Sequence, residues 1–524
     1  MNSLMMLQRD LLRMGVKWGE GVSRQGEPYG WLIDSREFLL QQDHLERVCA
    51  ELGPLLEKYQ IDSLAGYTLA AHPLAMGLRT WFAGRGRRLS VNLIRREPKP
   101  DGLQRQIEGP PIQPGQRVLL VDDLVNSGST QVNAVRIVRQ AGGVVAAVAV
   151  ILDYERSGSA WLRGQNIPME RLFTLAELGI QKPTGLPKLQ PVWQKSDVNL
   201  GRYNAPKSSV CLKGDKIWIG SDQGYLLCFN RQGKELWRYG VRDQERGIHG
   251  TPFEWEGRIY FGAYDGYLYC LCALTGQLHW ELRPAQWIGA SPLVDKGQVL
   301  VGIEYGEMGG GLIAVDAISG RQLWEAPAGN YVHSGACLAG SRVCFGCNDG
   351  IVRAVDRDSG KLLWRFYTQG PVKSDLVSDG QRVLVAGGDG VLYCLAAENG
   401  SLLWERRISR QLYCRPLLAG NLVMAGGDGT CLLALQLEDG EVAWVAPLGS
   451  PLLGGACLGA GDHIWASAVD GTIGCFSHDG RALAYLETGH PIRNRPAGDS
   501  ELTCIADMAG NLYAFDWSHS QRSK

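Results

Sequence analysis

The chain has 524 residues and a formal net charge of −1, with 45% hydrophobic and 20% charged residues. This length exceeds what one hydrophobic core organises, so we expect at least two domains. The composition is that of an ordinary soluble globular protein, and no apolar run is long enough to span a membrane.

The N-terminal segment MNSLMMLQRDLLRMGVKWGE has no long apolar core, because Arg9, Asp10 and Arg13 interrupt it. It also has no small-residue cleavage site, so we expect no signal peptide, no membrane association and a cytoplasmic location. The 14 cysteines suit buried thiols in a reducing compartment. The one C-x-x-C pair, Cys344 and Cys347, has no partner pair at zinc-finger spacing, so we expect no metal there.

The first part of the chain, to about residue 181, alternates predicted helices with predicted strands. In chain order the predicted elements are a helix over about 36–59, a strand over 61–66, a helix after Pro73, strands over 89–94 and 118–121, a helix over about 129–141 and a strand over 144–152. This alternation predicts an α/β domain with a doubly wound parallel sheet that is covered on both faces. Such a sheet binds ligands at the carboxyl ends of its strands.

Two groups of basic residues precede residue 100, Arg85-Gly-Arg-Arg88 and Arg95-Arg-Glu-Pro-Lys99. Residues 1–190 carry 23 basic and 19 acidic side chains, whereas the remainder carries 30 and 35. The basic groups form either a solvated face or a site for a polyanionic small molecule. Nucleic acid is the weaker option, because the excess is small and no nucleic-acid motif accompanies it.

The stretch VLLVDDLVNSGST, residues 118–130, carries the clearest chemical signal. Asp122 and Asp123 follow four apolar strand residues and are expected at the ligand crevice. The loop after them leads into a helix, so its backbone N–H groups and hydroxyls form an anion site, and Gly128 allows close approach. Two carboxylates suit the vicinal diol of a ribose, and small donors suit a phosphate. The stretch therefore predicts a site for a ribose 5-phosphate group.

This stretch resembles the phosphoribosyl-pyrophosphate (PRPP) motif of type I phosphoribosyltransferases. By that resemblance Asp122 and Asp123 bind the ribose hydroxyls, and Mg²⁺ is carried by PRPP near them. The implied phosphate-binding residues are Asn126, Ser127, Gly128, Ser129 and Thr130. Four further segments resemble orotate phosphoribosyltransferases in particular: Leu32–Arg36, the pyrophosphate loop Ala65–Pro73 with Ala71 and His72, the mobile loop Ile94–Pro110, and the C-terminal segment Arg171–Leu178.

The same resemblance implies further site residues, which are catalytic Arg95, Arg96, Lys99 and Asp101 and base-binding Tyr154 and Arg156. The basic ones would neutralise the leaving pyrophosphate. Asp101 stands where the family has a His, and Tyr154 where it has the Arg that contacts the orotate carboxylate. His72 is expected either to contact pyrophosphate or to cap the following helix, and the sequence favours neither.

From about residue 205 the sequence repeats with a period of 40 to 44 residues. Each unit has a turn ending in Gly and a Trp four residues later, as in Gly276 and Trp280, but the seventh has Ala484 in place of Trp. A second turn, usually Asp-Gly, separates short runs rich in Val, Ile, Leu and Tyr. Four short strands per unit predict a propeller blade.

These units resemble the pyrroloquinoline-quinone (PQQ) type of propeller repeat. We expect eight blades, with seven as the alternative, and a ring-closing strand near Trp193. The expected domains are 1–181 (phosphoribosyltransferase-like), 182–204 (linker and ring-closing strand) and 205–524 (propeller). PQQ itself is not expected, because the exported quinone dehydrogenases have a pair of adjacent cysteines and this chain has none.

The resemblance of the first domain implies Mg²⁺-dependent transfer of a phosphoribosyl group from PRPP to a base, of the orotate type used in pyrimidine biosynthesis. The first alternative is a non-catalytic PRPP sensor whose propeller docks a protein. The second places the function in the propeller alone. Related enzymes are usually dimers, so a homodimer through the first domain is implied as well.

Overall fold

The computed structural model describes residues 3–22, 28–67, 69–95, 106–199 and 208–521. The chain divides into two compact units, each described by itself below. The first comprises the residues up to Lys17 and from Leu32 to Gln181, and the second comprises Trp18–Trp31 and the residues from Lys182 onward. Within the described residues, no helix is long and apolar enough to cross a membrane.

The first unit is organised by a six-stranded sheet with the order β5-β4-β3-β6-β7-β8. All neighbours pair in parallel except β5, which is antiparallel to β4. The elements to this point in the chain are α1 (Ser3–Asp10), a π-helical turn (Leu11–Gly15), β1 (Val16–Val22), β2 (Pro28–Ile33), α2 (Ser35–Leu39), α3 (Gln42–Leu56), β3 (Ser63–Gly66), α4 (Ala71–Ala83), β4 (Ser90–Ile94), β5 (Ile107–Glu108), β6 (Arg117–Val125), α5 (Ser129–Gln140), β7 (Val144–Asp153), α6 (Ser157–Gly164) and β8 (Met169–Thr174).

Helices contact this sheet as the doubly wound prediction requires. Helices α3 and α4 pack against each other; α3 contacts β7 and β8, and α4 contacts β3, β4 and β6. Helix α5 contacts β6, β7 and α6. The middle strands are apolar because they are covered on both faces, and nine of the ten residues of β7 are buried. The predicted fold class is confirmed.

Three predicted element bounds differ from the structure. The helix over 36–59 is two helices, α2 and α3, separated at Leu40 and Gln41. The helix after Pro73 begins at Ala71, because proline is tolerated in a first turn, where its missing N–H has no helical partner. Strand β6 continues past 121, because β7 pairs with it as far as Val125. The acid pair, Asp122 and Asp123, therefore lies within the strand.

The second unit is a propeller of eight four-stranded antiparallel sheets, which confirms the prediction of eight blades. Its strands are β9 (Trp193–Lys195), β10 (Cys211–Lys213), β11 (Lys216–Gly220), β12 (Tyr225–Asn230), β13 (Glu235–Gly240), β14 (Phe253–Trp255), β15 (Arg258–Gly262), β16 (Leu268–Cys272), β17 (Leu278–Leu282), β18 (Leu293–Asp295), β19 (Gln298–Glu304), β20 (Gly310–Asp316), β21 (Gln322–Ala328), β22 (Cys337–Ala339), β23 (Arg342–Phe345), β24 (Ile351–Asp356), β25 (Leu362–Tyr367), β26 (Val377–Ser378), β27 (Arg382–Ala386), β28 (Val391–Ala396), β29 (Leu402–Arg407), β30 (Leu417–Ala419), β31 (Leu422–Ala425), β32 (Cys431–Gln436), β33 (Val442–Pro447), β34 (Gly455–Gly459), β35 (His463–Ser467), β36 (Thr472–Phe476), β37 (Ala482–Glu487), β38 (Ala497–Gly498), β39 (Thr503–Ala506) and β40 (Leu512–Phe515). The second unit also contains a 3₁₀ turn (Ala460–Asp462), α7 (Trp517–Gln521) and, because Trp18–Trp31 belong to it, most of the two-stranded sheet of β1 and β2.

The tryptophan of a blade packs on the turn glycine of the next blade. A Cβ atom on Gly320 would lie 2.7 Å from the Trp280 ring, and one on Gly400 would lie 2.5 Å from the Trp364 ring. The indole N–H of Trp364 also donates to the carbonyl of Ala397 in that next blade, at 3.0 Å. The repeating Gly and Trp are therefore two halves of one contact between blades.

The same contact closes the ring between the two ends of the propeller. Strand β9 pairs with β40 and completes the eighth blade. Trp193 of that strand donates its indole N–H to the carbonyl of Arg231 in the first blade, at 2.7 Å, and its ring covers Gly233. Ring closure removes the free sheet edges that an open propeller would expose.

We expect Trp193→Ala to destabilise the propeller by about 3 kcal/mol, because it removes a large packed side chain and the bond across the closure. The measurement is the shift in the propeller's unfolding transition, followed by circular dichroism in urea. Val192→Ala is the control, because that side chain is 37% exposed; it should cost less than about 0.5 kcal/mol. Equal stability of the two variants would contradict the account of closure.

Candidate functional site

Asp122 and Asp123 lie on β6 just beyond the end of its neighbour β3, which pairs with β6 only as far as Gly66 and Val121. Asp122 is buried, and its carboxylate accepts hydrogen bonds from the Gln131 side-chain amide at 2.8 Å and from the Asp123 N–H at 3.1 Å. Asp123 is partly exposed. The acid pair thus stands at the carboxyl edge of the sheet, and Gln131 joins it to the first turn of α5.

The Asp123 carboxylate accepts a short hydrogen bond from the Ser35 hydroxyl. Ser35 is the first residue of α2, whose N-cap is Asp34. Arg36 donates to both Asp34 oxygens, at 2.8 and 2.6 Å, and this pairing lowers the pKa of Asp34. The Leu32–Arg36 segment therefore reaches the acid pair through its serine, and its charged residues pair with each other.

The loop from Asn126 to Gly128 links the acid pair to helix α5. The N-cap residue Gly128 has a left-handed backbone with φ of 84°. Glycine has no side chain to cap α5, so the N–H groups of the first turn are available to a ligand at the positive end of the helix. Ser127 and Ser129 are exposed beside them, with hydroxyls 3.5 Å apart, and Thr130 is half-buried.

Gly128 lies against Gly158 at the start of α6. A Cβ atom on Gly128 would come within 2.4 Å of the Gly158 Cα atom, and one on Gly158 would come within 2.8 Å of Gly128. The Gly158 N–H donates to the Asn126 carbonyl at 3.0 Å, and the Ser157 hydroxyl donates to the Ser127 carbonyl at 3.2 Å. The loop after β6 is therefore held by the turn that follows β7.

The residues after β7 are Tyr154 and Arg156, the predicted base-binding pair. Tyr154 is buried, and this burial raises the pKa of its hydroxyl to about 12. The Arg156 guanidinium lies 5.5 Å from the Tyr154 ring centre and donates to the Asn126 side-chain oxygen at 3.3 Å. Arg156 thus connects the predicted base-binding residues to the predicted phosphate loop.

His72 and Ala71 lie at the start of α4, after the end of β3. Burial lowers the pKa of His72, and a hydrogen bond with the Gly66 backbone opposes this shift. The other ring nitrogen, Nε2, is buried and has no hydrogen-bond partner among the described residues. Ala70, the N-cap residue of α4, has no polar side-chain atom that could cap the helix. Ala71 is buried and packs against Gly66. The contact of His72 with pyrophosphate stays a prediction.

Arg95 is the one predicted catalytic residue within the described part of the chain; Arg96, Lys99 and Asp101 lie outside it. Its N–H donates to the Gln106 carbonyl at 2.9 Å, which closes the hairpin of β4 and β5. Its side chain donates to the Glu108 carboxylate at 3.0 Å. The charge of Arg95 also contributes to the lowered pKa of His72, so the two residues are neighbours at this edge.

Sequence reasoning assigned no role to three residues that hold the site together, namely Ser35, Gln131 and Gly158, whereas the resemblance placed Asp153 beside Tyr154 at the base-binding position. Buried Asp153 accepts from the Glu155 N–H at 2.7 Å and from the Ser159 hydroxyl, and thereby shapes the turn after β7. A signal for Gly158 was present, because Ser-Gly-Ser occurs at both 127–129 and 157–159. Ser35 lies in the Leu32–Arg36 segment that the resemblance singled out, but its contact with Asp123 spans 88 residues and had no signal in the sequence.

A family described as outer membrane protein assembly factor BamB, PQQ_2, matches residues 222–344 and 348–522. Among solved structures, BamB from Moraxella catarrhalis is similar with a TM-score of 0.52 and 18% identity, over 63% of this chain and 98% of that one. The computationally designed Ika8 protein has a TM-score of 0.53 and 16% identity, over 62% and 100%. These structural likenesses show the fold.

The first unit is similar to proteins named orotate phosphoribosyltransferase. The one from Streptomyces avermitilis is 34% identical over 166 residues, which are 32% of this chain and 91% of the relative. The one from Mycobacterium avium is 31% identical over 172 residues, or 32% and 92%. The chain therefore belongs to the orotate phosphoribosyltransferase family through its first unit and to the PQQ_2 family of outer membrane protein assembly factor BamB through its propeller.

Proposed function

We propose that the first unit binds PRPP and transfers its phosphoribosyl group to a nitrogenous base, as the names of its relatives suggest. The observation that carries this proposal is the placement of the acid pair and the uncapped start of α5 at one edge of the sheet. Gln131 joins the two at 2.8 Å. Asp122 and Asp123 suit a ribose diol, and the amides of α5 suit the 5′-phosphate.

The acid pair also fits Mg²⁺, which prefers oxygen ligands and retains several waters. The described residues contain no group of three or more side chains that could hold a metal ion. Asp122 and Asp123 would therefore hold the ion only together with oxygens of PRPP and water. When bound, Mg²⁺ would neutralise charge on the pyrophosphate group of PRPP.

The reaction that follows is a displacement at C1 of the ribose. A base nitrogen forms the new bond to C1, the C1–oxygen bond breaks, pyrophosphate leaves with the electron pair, and the base releases its proton. Arg95 would neutralise charge on the departing pyrophosphate. Its bond to Glu108, at 3.0 Å, would hold the guanidinium at the base of the 95–106 loop until substrate binds.

Orotate is the acceptor that the relatives' names suggest, which would place the enzyme in pyrimidine nucleotide metabolism. Arg156 is a cation near the acceptor side, and it would have to leave the Asn126 oxygen to reach an orotate carboxylate. Buried Tyr154 stays neutral near pH 7, because the pKa of its hydroxyl is raised to about 12. It offers a hydrogen-bond donor instead of a charge.

The presence of Tyr154 in place of the family's Arg favours a second candidate, a PRPP sensor that does not catalyse transfer. In both versions the propeller serves as a platform for a protein partner. The two differ in one observable, which is pyrophosphate release. The full chain, incubated with radiolabelled PRPP, Mg²⁺ and a panel of bases that includes orotate, should release pyrophosphate with one of them. Tight PRPP binding with no pyrophosphate release in the presence of any base would contradict the transferase and support the sensor.

We expect Asp122→Asn with Asp123→Asn to weaken PRPP binding at least about 100-fold, because two charge-assisted hydrogen bonds to the ribose diol are lost. Isothermal titration calorimetry with Mg²⁺ measures this change. The control is Asp62→Asn at the opposite end of β6, where Asp62 accepts from the Arg117 N–H at 2.9 Å. Unchanged affinity in the double variant would remove the basis of both candidates.

We expect Gly128→Ala to destabilise the first unit and to weaken PRPP binding about tenfold. A Cβ atom would clash with Gly158 at 2.4 Å, and φ is 84°. Gly115→Ala separates the two causes, because φ is 77° there and nothing lies within 4 Å. That variant should cost about 1 kcal/mol in thermal unfolding and keep full PRPP affinity. Equal effects of the two substitutions would contradict the account of close packing.

A further inference from the structure

A cavity of about 370 Å³ lies on the propeller axis and is lined by residues from all eight blades. Its wall includes one repeat position, two residues before the first strand of a blade. In successive blades this position holds Gly335, Asp375 and Arg415, and Arg495 holds it in the eighth. In the seventh blade the residue that pairs with Arg415 is Gly455, the first residue of β34, which adds no side chain between the two arginines. One ring around the axis therefore carries two guanidinium groups and one carboxylate.

Neither Arg415 nor Arg495 forms an ion pair with another residue in the described ranges. Asp375 is engaged elsewhere, because its Oδ1 atom accepts from the Gly335 N–H at 2.7 Å. Burial, and then the charge of Arg495, lowers the pKa of Arg415 to about 10, and Asp375 opposes that shift. Two like charges thus face one cavity, and the single carboxylate that lines it, Asp375, forms no ion pair with either of them within the described residues.

The rest of the ring position is neutral and polar. Ser291 accepts from the Thr251 N–H at 3.0 Å, and Ser209 accepts from the Arg495 N–H at 3.0 Å. These hydroxyls hold neighbouring blades together, as Asp375 does for Gly335. Within the described residues the side chains of Arg415 and Arg495 donate no such bond, so their guanidinium groups are left for a ligand in the cavity.

We propose that this cavity binds the oxyanion group of a small molecule, a phosphate or a carboxylate, between Arg415 and Arg495. The planar guanidinium matches either group through paired N–H donors. An anion there would offset the repulsion between the two arginines. The Asp375 carboxylate favours a ligand that also carries a hydroxyl or a protonated oxygen, which can donate to it. The volume suits a small molecule and excludes a folded protein segment.

The test uses the full chain and calorimetric titration with inorganic phosphate and with citrate at constant ionic strength. The Asn126–Gly128 loop of the first unit is itself a candidate phosphate site. The quantity compared is therefore the number of anion sites per chain in the unmodified protein and in the variant Arg415→Gln with Arg495→Gln. We expect that variant to lose one anion site per chain or to bind it at least about tenfold more weakly. Arg365→Gln, on the exposed face of β25, is the matched control and should bind as the unmodified chain does.

Crystals of the unmodified chain grown with tungstate keep the test decisive if the double variant does not fold. We expect an anomalous difference peak within hydrogen-bond distance of both guanidinium groups. A preference for phosphate or for citrate identifies the oxyanion, and either supports the proposal. Identical titrations of the double variant and the unmodified chain, or crystals with no peak between the arginines, would overturn it.

Discussion

In the first unit the backbone of Gly128 meets the backbone of Gly158, so closely that a Cβ atom on Gly128 would come within 2.4 Å of the Gly158 Cα atom. This approach holds the loop after β6 against the turn after β7. The uncapped amides of α5 and the acid pair depend on that placement, since Gln131 of α5 reaches Asp122. Removal of the close contact would separate the two halves of the site that the proposed chemistry requires.

The propeller depends on the same kind of contact at a larger scale. The indole ring of one blade covers the turn glycine of the next, and Trp193 repeats this contact across the closure. Such contacts hold the blades in a closed ring, and that ring positions Arg415 and Arg495 around one axial space.

The fold could be predicted from the sequence because its signals are local or periodic. The Gly and Trp repeat indicated blades, and VLLVDDLVNSGST indicated a strand, a loop and a helix in the right order. The contacts within the site are different, because they join residues that no period relates. Ser35 reaches Asp123 over 88 residues, and Arg156 reaches Asn126 over 30. Tertiary packing determines which of these residues meet. The sequence therefore predicted Asn126 and Arg156 as site residues but not the hydrogen bond between them.

In the proposed function, the acid pair and the start of α5 hold the ribose 5-phosphate part of PRPP. A crystal structure of the chain grown with Mg²⁺ and PRPP tests it most directly. The account predicts density for the ribose hydroxyls at Asp122 and Asp123 and for the 5′-phosphate at the amides of Ser129–Gln131. Density elsewhere, or an acid pair that keeps only its bonds to Gln131 and Ser35 at saturating PRPP, would contradict it.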